Sequence, residues 1–224
     1  MIKEISLVIE NLVGQIDNTI EGQWNDVTQR IETCNTKWSR PGKPISQIGG
    51  DYVIDEVETN EYITIKDQVG LTGTFYIPQP YFLGGTRIAA NREWTISTPD
   101  LLSKTPIIWL LHDINYKVFG RNNTEDWEST LRIFFLDETN VVNYYTKDHT
   151  TNVVEPMNQL ANEFVNIVEN DKSFKTLEEY EVINFTRFGT ESQGGSFQNI
   201  LDANLSGVEL RITLTKYKGN CVCY

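Results

Sequence analysis

The chain has 224 residues, 39% hydrophobic and 22% charged, with a formal net charge of -12. That length suits one domain with a real core, roughly 70% of whose unfolded surface is buried without staples. The acidic balance argues against sequence-specific contact with nucleic acid and against anionic lipid, because a negative surface repels both.

Residues 2–20 read as an amphipathic helix. Ile5, Ile9, Leu12, Ile16 and Ile20 recur at spacings of three and four and form one stripe. Gly14 weakens it. The start carries Glu4 and Glu10 in place of an apolar signal region, and no stretch reaches the ~20 apolar residues of a membrane span. The expectation is synthesis in a cytoplasm, in keeping with only three cysteines, Cys34, Cys221 and Cys223.

Residues 37–50 hold Pro41, Gly42, Pro44, Gly49 and Gly50 and read as an extended loop. From Asp51 the period changes to two. Residues 51–58 and 61–66 predict two strands joined tightly at Thr59-Asn60, and residues 69–77 continue the β pattern until Pro78-Gln79-Pro80 ends it. Residues 78–98 read as a second excursion, with a turn at Gly84-Gly85 and a strand over 87–96. The apolar run Ile107-Ile108-Trp109-Leu110-Leu111 predicts a strand covered on both faces or one at a subunit contact. Residues 121–128 are polar and loop-like, and 131–136 form another strand.

A second helix is predicted over 152–170. Glu155-Pro156 suits its first turn, and Met157, Leu160, Ala161, Phe164, Ile167 and Val168 make its buried stripe. Strands over 180–188 and 207–217 close the chain around a polar loop containing Gly194-Gly195. In the last strand Val208, Leu210, Ile212 and Leu214 alternate with Glu209, Arg211, Thr213 and Thr215, which places the first four inward. The expected fold is α+β: antiparallel sheet packed by an N-terminal helix and a second helix near 153–170. It forms one domain over 1–224 with long loops at 37–50 and 78–98 and a short tail at 218–224.

No catalytic, cofactor or metal site is assigned from these residues. His112 and His149 are the only histidines, and neither belongs to a recognisable nucleophile elbow or an HExxH pattern. The adjacent acids Asp137-Glu138 and Glu178-Glu179 do not face one another on a helix or strand. The glycine pairs lack the Walker lysine and the GxGxxG spacing. Cys221 and Cys223 could clasp a soft metal with help from another chain, but a zinc site needs about four ligands, and a terminal tail is the simpler reading. The Asn122-Asn123-Thr124 and Asn184-Phe185-Thr186 sequons carry no meaning without secretion.

The second half has a definite order: a proline-started helix (Pro156 to Val168), a strand with aromatics at Tyr180, Phe185 and Phe188, a glycine-containing polar loop, and the terminal run NLSGVELRITLTKYKGNCVCY. With the N-terminal amphipathic helix in front, this resembles head–tail connector and tail-terminator proteins of tailed bacteriophages. The terminal run resembles those of structural proteins from phages of gut Bacteroides-type hosts. The likeness spans about half the chain and rests on element order more than on specific residues.

The resemblance implies a homo-oligomeric ring in the virion, assembled in the host cytoplasm, around the channel through which DNA leaves. Its partners would be portal, connector or tail proteins, with residues 37–50 and 81–98 as arms to neighbouring rings. It brings no catalytic residues and no cofactor. The surplus acids would line the channel or only solubilise the outer surface. A competing reading is a β-rich carbohydrate- or protein-binding module with Trp94, Trp109 and Trp127 as an exposed platform.

Overall fold

A computed structural model describes residues 2–66, 70–96, 104–119, 126–175, 177–193, 196–199, 201 and 203–216. The Cys221 and Cys223 pair, the tail 218–224, Gly194-Gly195 and the Asn122 sequon lie outside the described residues.

The N-terminal stripe forms a helix, α1 (Ile2–Val13), shorter than the 2–20 expected. Gly14 closes it by donating its N–H to the Glu10 carbonyl at 2.9 Å. Asp17 then accepts both the backbone and hydroxyl hydrogens of Thr19, at 3.0 and 2.8 Å, a local bond that turns the chain out of helix. Ile16 and Ile20 are still buried, because the chain stays against the same core after the helix has ended.

Six strands follow: β1 (Thr19–Asn25), β2 (Arg30–Glu32), β3 (Pro44–Gln47), β4 (Gly50–Glu58), β5 (Tyr62–Ile65) and β6 (Gly73–Tyr76). They close into a barrel in the order β1-β2-β5-β4-β3-β6. Ile20, Ile31, Ile45, Ile54, Ile63, Ile65 and Phe75 fill it, β-branched and aromatic side chains that suit a pleated wall. A bulge between Ile54 and Glu56 bends β4 so that it can pair with β3 at one end and β5 at the other. The interior leaves no room at Gly22, where a Cβ would stand 2.3 Å from the Ile31 side chain.

Residues 37–50 are therefore not a free arm. They carry β3 and bury Trp38, Ser39, Arg40, Lys43 and Ile45, and the Trp38 indole donates to the Pro78 carbonyl at 3.0 Å. Hydrogen exchange should find the β3 amides protected in the isolated subunit, within the slowest-exchanging group. Exchange as fast as an open loop would show that this segment orders only on a partner.

The second sheet begins with β7 (Tyr81–Gly85), α2 (Arg87–Ile96) and β8 (Ile107–Leu111), with β7 and β8 parallel. Two corrections arise here. Gly84-Gly85 lies within β7 rather than in a turn, and residues 87–96 are helical, not a strand. Parallel neighbours need a crossover, and a helix is its usual form. Ala90 and Trp94, four apart, bury on one side of α2, while Ile88 is exposed.

The sheet continues with β9 (Asn115–Phe119), β10 (Asp126–Glu138), β11 (Tyr180–Phe188) and β14 (Leu205–Lys216). Its order is β11-β14-β10-β8-β7, with β9 beside the first part of β10. The expected polar loop between β11 and β14 contains a hairpin, β12 (Thr190–Gln193) and β13 (Ser196–Asn199). β10 and β14 pair from Trp127↔Lys216 to Glu138↔Leu205.

The second helix is longer than expected. α3 (Thr146–His149) runs through a π-helical turn (Thr150–Val154) into α4 (Glu155–Asn170). Pro156 offers no N–H and crowds the carbonyl four residues back; the wider π turn before it gives the ring room.

Both sheet faces are covered over β8, as one of the two readings of its apolar run required: all five residues are buried. One face holds Ile108, Leu110, Ile133, Phe135, Val208, Leu210, Ile212 and Leu214. It shares a continuous buried core with α1, α4 and the barrel interior. The other holds Trp109, Phe134 and Phe188 under α2, with Leu201 and Ala203. Trp94, Trp109 and Trp127 are all buried, so they form no exposed platform. The fold is α+β with antiparallel sheet and an N-terminal helix, as the sequence implies.

Candidate functional site

Three arrangements stand out: a buried ion cluster, an acidic barrel wall and an open sheet edge. The cluster forms where the barrel meets the sheet. Asp137 ends the inward-facing series Leu131, Ile133, Phe135 on β10 and is almost completely buried. Arg40 grips it with two parallel bonds, Nε to Oδ2 at 2.7 Å and Nη2 to Oδ1 at 2.8 Å. Lys43 Nζ stands 3.0 Å from Oδ1 and also bonds the Thr105 hydroxyl before β8. The Glu138 N–H donates to Oδ1 at 2.7 Å.

Burial pushes the Asp137 carboxyl upward, but the Arg40 and Lys43 charges and their hydrogen bonds override it and hold it below the usual carboxylate range. Burial likewise pulls Lys43 below the ordinary lysine, against the attraction of Asp137. These bonds tie the approach to β3 to the end of β10 and the start of β8, which marks the cluster as the joint between barrel and sheet. The signal was present in the sequence as Asp137 falling in register with inward apolar residues, and it was missed there.

His112, just after β8, lies 2.8 Å through Nε2 from the Ser6 hydroxyl on α1. Burial lowers its pKa, which favours the neutral ring. Ser6 sits within a helix rather than in a nucleophile elbow, and Asp113 is exposed; the pair clips α1 to the sheet. His149 bonds the Thr139 hydroxyl through Nδ1 at 2.6 Å. Among the described residues no group of three or more His, Cys, Asp or Glu is placed to hold a metal ion. No described helix is long and apolar enough to cross a membrane.

Acids concentrate on two surfaces. On β4, Asp51, Asp55, Glu56 and Glu58 are all exposed on the barrel wall. On the other face of the sheet, Glu209 lies opposite to Val208 and Leu210, as the alternation requires, and is nearly fully buried. Arg132 Nε at 2.5 Å and Arg211 Nε at 2.8 Å enclose its carboxylate, and Arg211 Nη1 reaches Glu181 at 3.2 Å. Burial raises the Glu209 carboxyl, and the two arginines outweigh that and hold it low. The result is a ladder of alternating charge across β10, β14 and β11. Glu178-Glu179, beside β11, lines a shallow groove with Glu128, Lys175, Thr213 and Thr215.

The open edge is β9. Among the described residues its only strand partner is β10, and all five of its residues are exposed, with Tyr116, Val118 and Phe119 among the large apolar ones. β7 flanks β8 but ends there, at Gly85↔Leu111. An exposed strand of this kind is a ready template for another strand.

Comparison with protein-family models, curated proteins and solved structures finds no match to this chain.

Proposed function

We propose that the protein is a structural ring subunit of a bacteriophage neck or tail, a head–tail connector or tail terminator that joins portal and tail around the DNA channel. The observation that carries this reading is β9, a strand whose five residues are all exposed along its free edge, on a body whose Arg40–Lys43–Asp137 cluster holds barrel and sheet together. Such an edge serves assembly. The element order that carries the resemblance adds support: α4, β11 and β14 follow one another, with β11 and β14 paired. In this reading the chain resides in the virion after assembly in the host cytoplasm. The competing binding-module reading loses the tryptophan platform on which it was drawn.

Light scattering and negative-stain microscopy test the reading, on the protein alone and mixed with the portal and tail proteins of the phage that encodes it. Closed rings of one diameter are expected. A monomer that persists in the presence of those neighbours overturns it.

The β4 wall is the surface we assign to the channel. Asp51, Asp55, Glu56 and Glu58 repel phosphate over about a Debye length, ~8 Å at physiological salt, and leave a passing duplex mobile. Fluorescence anisotropy should show no duplex binding at physiological salt. The triple change Asp51→Lys, Asp55→Lys, Glu56→Lys should create binding that weakens steeply as salt rises, because phosphate contacts release counterions. Tight, salt-sensitive binding by the unaltered protein would defeat the assignment.

A further inference from the structure

We infer that copies of this chain join edge to edge, β9 of one protomer pairing antiparallel with the first half of β11 of the next, in the register Tyr116↔Val182, Lys117↔Glu181, Val118↔Tyr180. The inference rests on the ring reading for the number of copies and on the strands themselves for the joint.

The two edges lie on opposite sides of one sheet, and their sequences match. β9 reads Tyr116-Lys117-Val118 and β11 reads Tyr180-Glu181-Val182. Cross-strand partners share a face. Tyr116 is opposite Ser129 and Val118 opposite Trp127, on the core-side face. Tyr180 is opposite Ile212 and Val182 opposite Leu210, on that same face. Past the covered core all four turn to solvent, exposed by 42%, 52%, 43% and 36%. Antiparallel pairing would set each tyrosine against a valine, an aromatic–β-branched contact that stabilises sheets.

The other face supplies the charge. Lys117 is opposite Glu128 and bonds it at 3.1 Å, with 80% of its side chain exposed. Glu181 is opposite Arg211, with 61% exposed. Bringing Lys117 of one copy against Glu181 of the next extends the ladder without a like-charge step: Arg211, Glu181, then Lys117 and Glu128 of the neighbour. Pairing β9 with β9 would instead set lysine beside lysine, and β11 with β11 glutamate beside glutamate. The edges therefore favour the head-to-tail contact, which closes into rings when the rotation allows.

Direction and position agree with this. β9 and β14 each run antiparallel to β10, and β11 runs antiparallel to β14. A neighbour in the same orientation thus presents β11 antiparallel to β9, and the sheet stays antiparallel across the joint. The bulge between Phe185 and Phe188 disturbs the second half of β11 and leaves its first half regular. Through Glu128, Lys117 is level with Thr215, whereas Glu181 is level with Arg211, four residues along β14. Each joint therefore steps about 13 Å along the strands at 3.3 Å per residue, the kind of stagger that a sheet closing on itself requires.

Site-directed cross-linking tests the joint. Lys117→Cys and Glu181→Cys proteins are made separately, mixed, assembled and oxidised, and the linked peptides are read by mass spectrometry. The expected product joins the peptide carrying position 117 to the peptide carrying position 181, between different protomers. Lys117→Glu and Glu181→Lys should each reduce the assembled fraction by about tenfold or more, equal to ~1.4 kcal/mol per contact, and the double exchange should restore it. Circular dichroism should show all three variants folded, since both side chains are on the surface. Rings that form without the 117–181 link, and that ignore both charge changes, overturn the edge pairing and leave the ring reading intact. Failure to form rings even with the neighbouring neck proteins overturns both.

Discussion

Gly207→Ala is expected to lose on the order of 4 kcal/mol or more, or to prevent folding altogether. Gly207 lies in β14 between two partners, opposite Leu136 of β10 and Phe185 of β11. Its φ is +151°, and a Cβ there would stand 2.0 Å from the Phe135 carbonyl oxygen and 3.0 Å from the Leu136 Cα. Those obstacles are backbone atoms of β10, the partner in the longest strand pair, so neither can swing aside as a side-chain end could. The only relief is to part β10 from β14, which opens the core on both faces. Gly42→Ala provides the control. Its φ is +82° with nothing within 4 Å of the new Cβ, so it carries backbone strain alone, about 1–2 kcal/mol. Urea denaturation of the two variants separates steric conflict from backbone preference. Equal small losses would mean that the strands approach less closely than described.

Asp137→Asn is expected to destabilise by about 3–5 kcal/mol, because it leaves Arg40 and Lys43 buried without their counter-charge. Asparagine keeps the shape and part of the hydrogen bonding, so the loss reports charge more than packing. The pH dependence carries a second signature. Asp137 is held below its ordinary value in the folded state, so unfolding at low pH takes up a proton. Its contribution is whole above the ordinary carboxylate range. It is lost progressively as pH falls below about 4 towards the folded value. Unfolding free energies measured from pH 7 downward should therefore fall more steeply for the unaltered protein than for Asp137→Asn, and the two curves should converge in acid. Parallel curves would show that the cluster contributes no charge-linked stability.

Much of this architecture is legible in the residues themselves. The alternation of Val208, Leu210, Ile212 and Leu214 with polar neighbours is the imprint of a strand buried on one face, and all four are buried. The unbroken run from Ile107 to Leu111 likewise marks a strand covered twice. Met157, Leu160, Ala161, Phe164 and Val168 mark the buried side of α4 because helical spacing brings them together. These patterns are local: each records which side of an element faces apolar matter.

Tertiary structure decided what local pattern leaves open. Residues 87–96 read as a strand from the sequence, and they are helical: β7 and β8 run parallel and need a crossover between them. Ile16 and Ile20 continue the stripe of α1 beyond its end, since burial follows the shared core and not the helix. The ion cluster gathers residues 40, 43, 105 and 137, whose meeting depends on where the closed barrel sets its β3 approach against the end of β10. The tryptophans became core through tertiary packing: Trp94 of α2 and Trp109 of β8 share one buried cluster, and Trp127 meets Phe174 edge to face. Above all, which strands keep a free edge is a property of strand order. Tyr116-Lys117-Val118 and Tyr180-Glu181-Val182 are ordinary β sequences until the sheet places them at its two open sides, facing the same way with opposite charge.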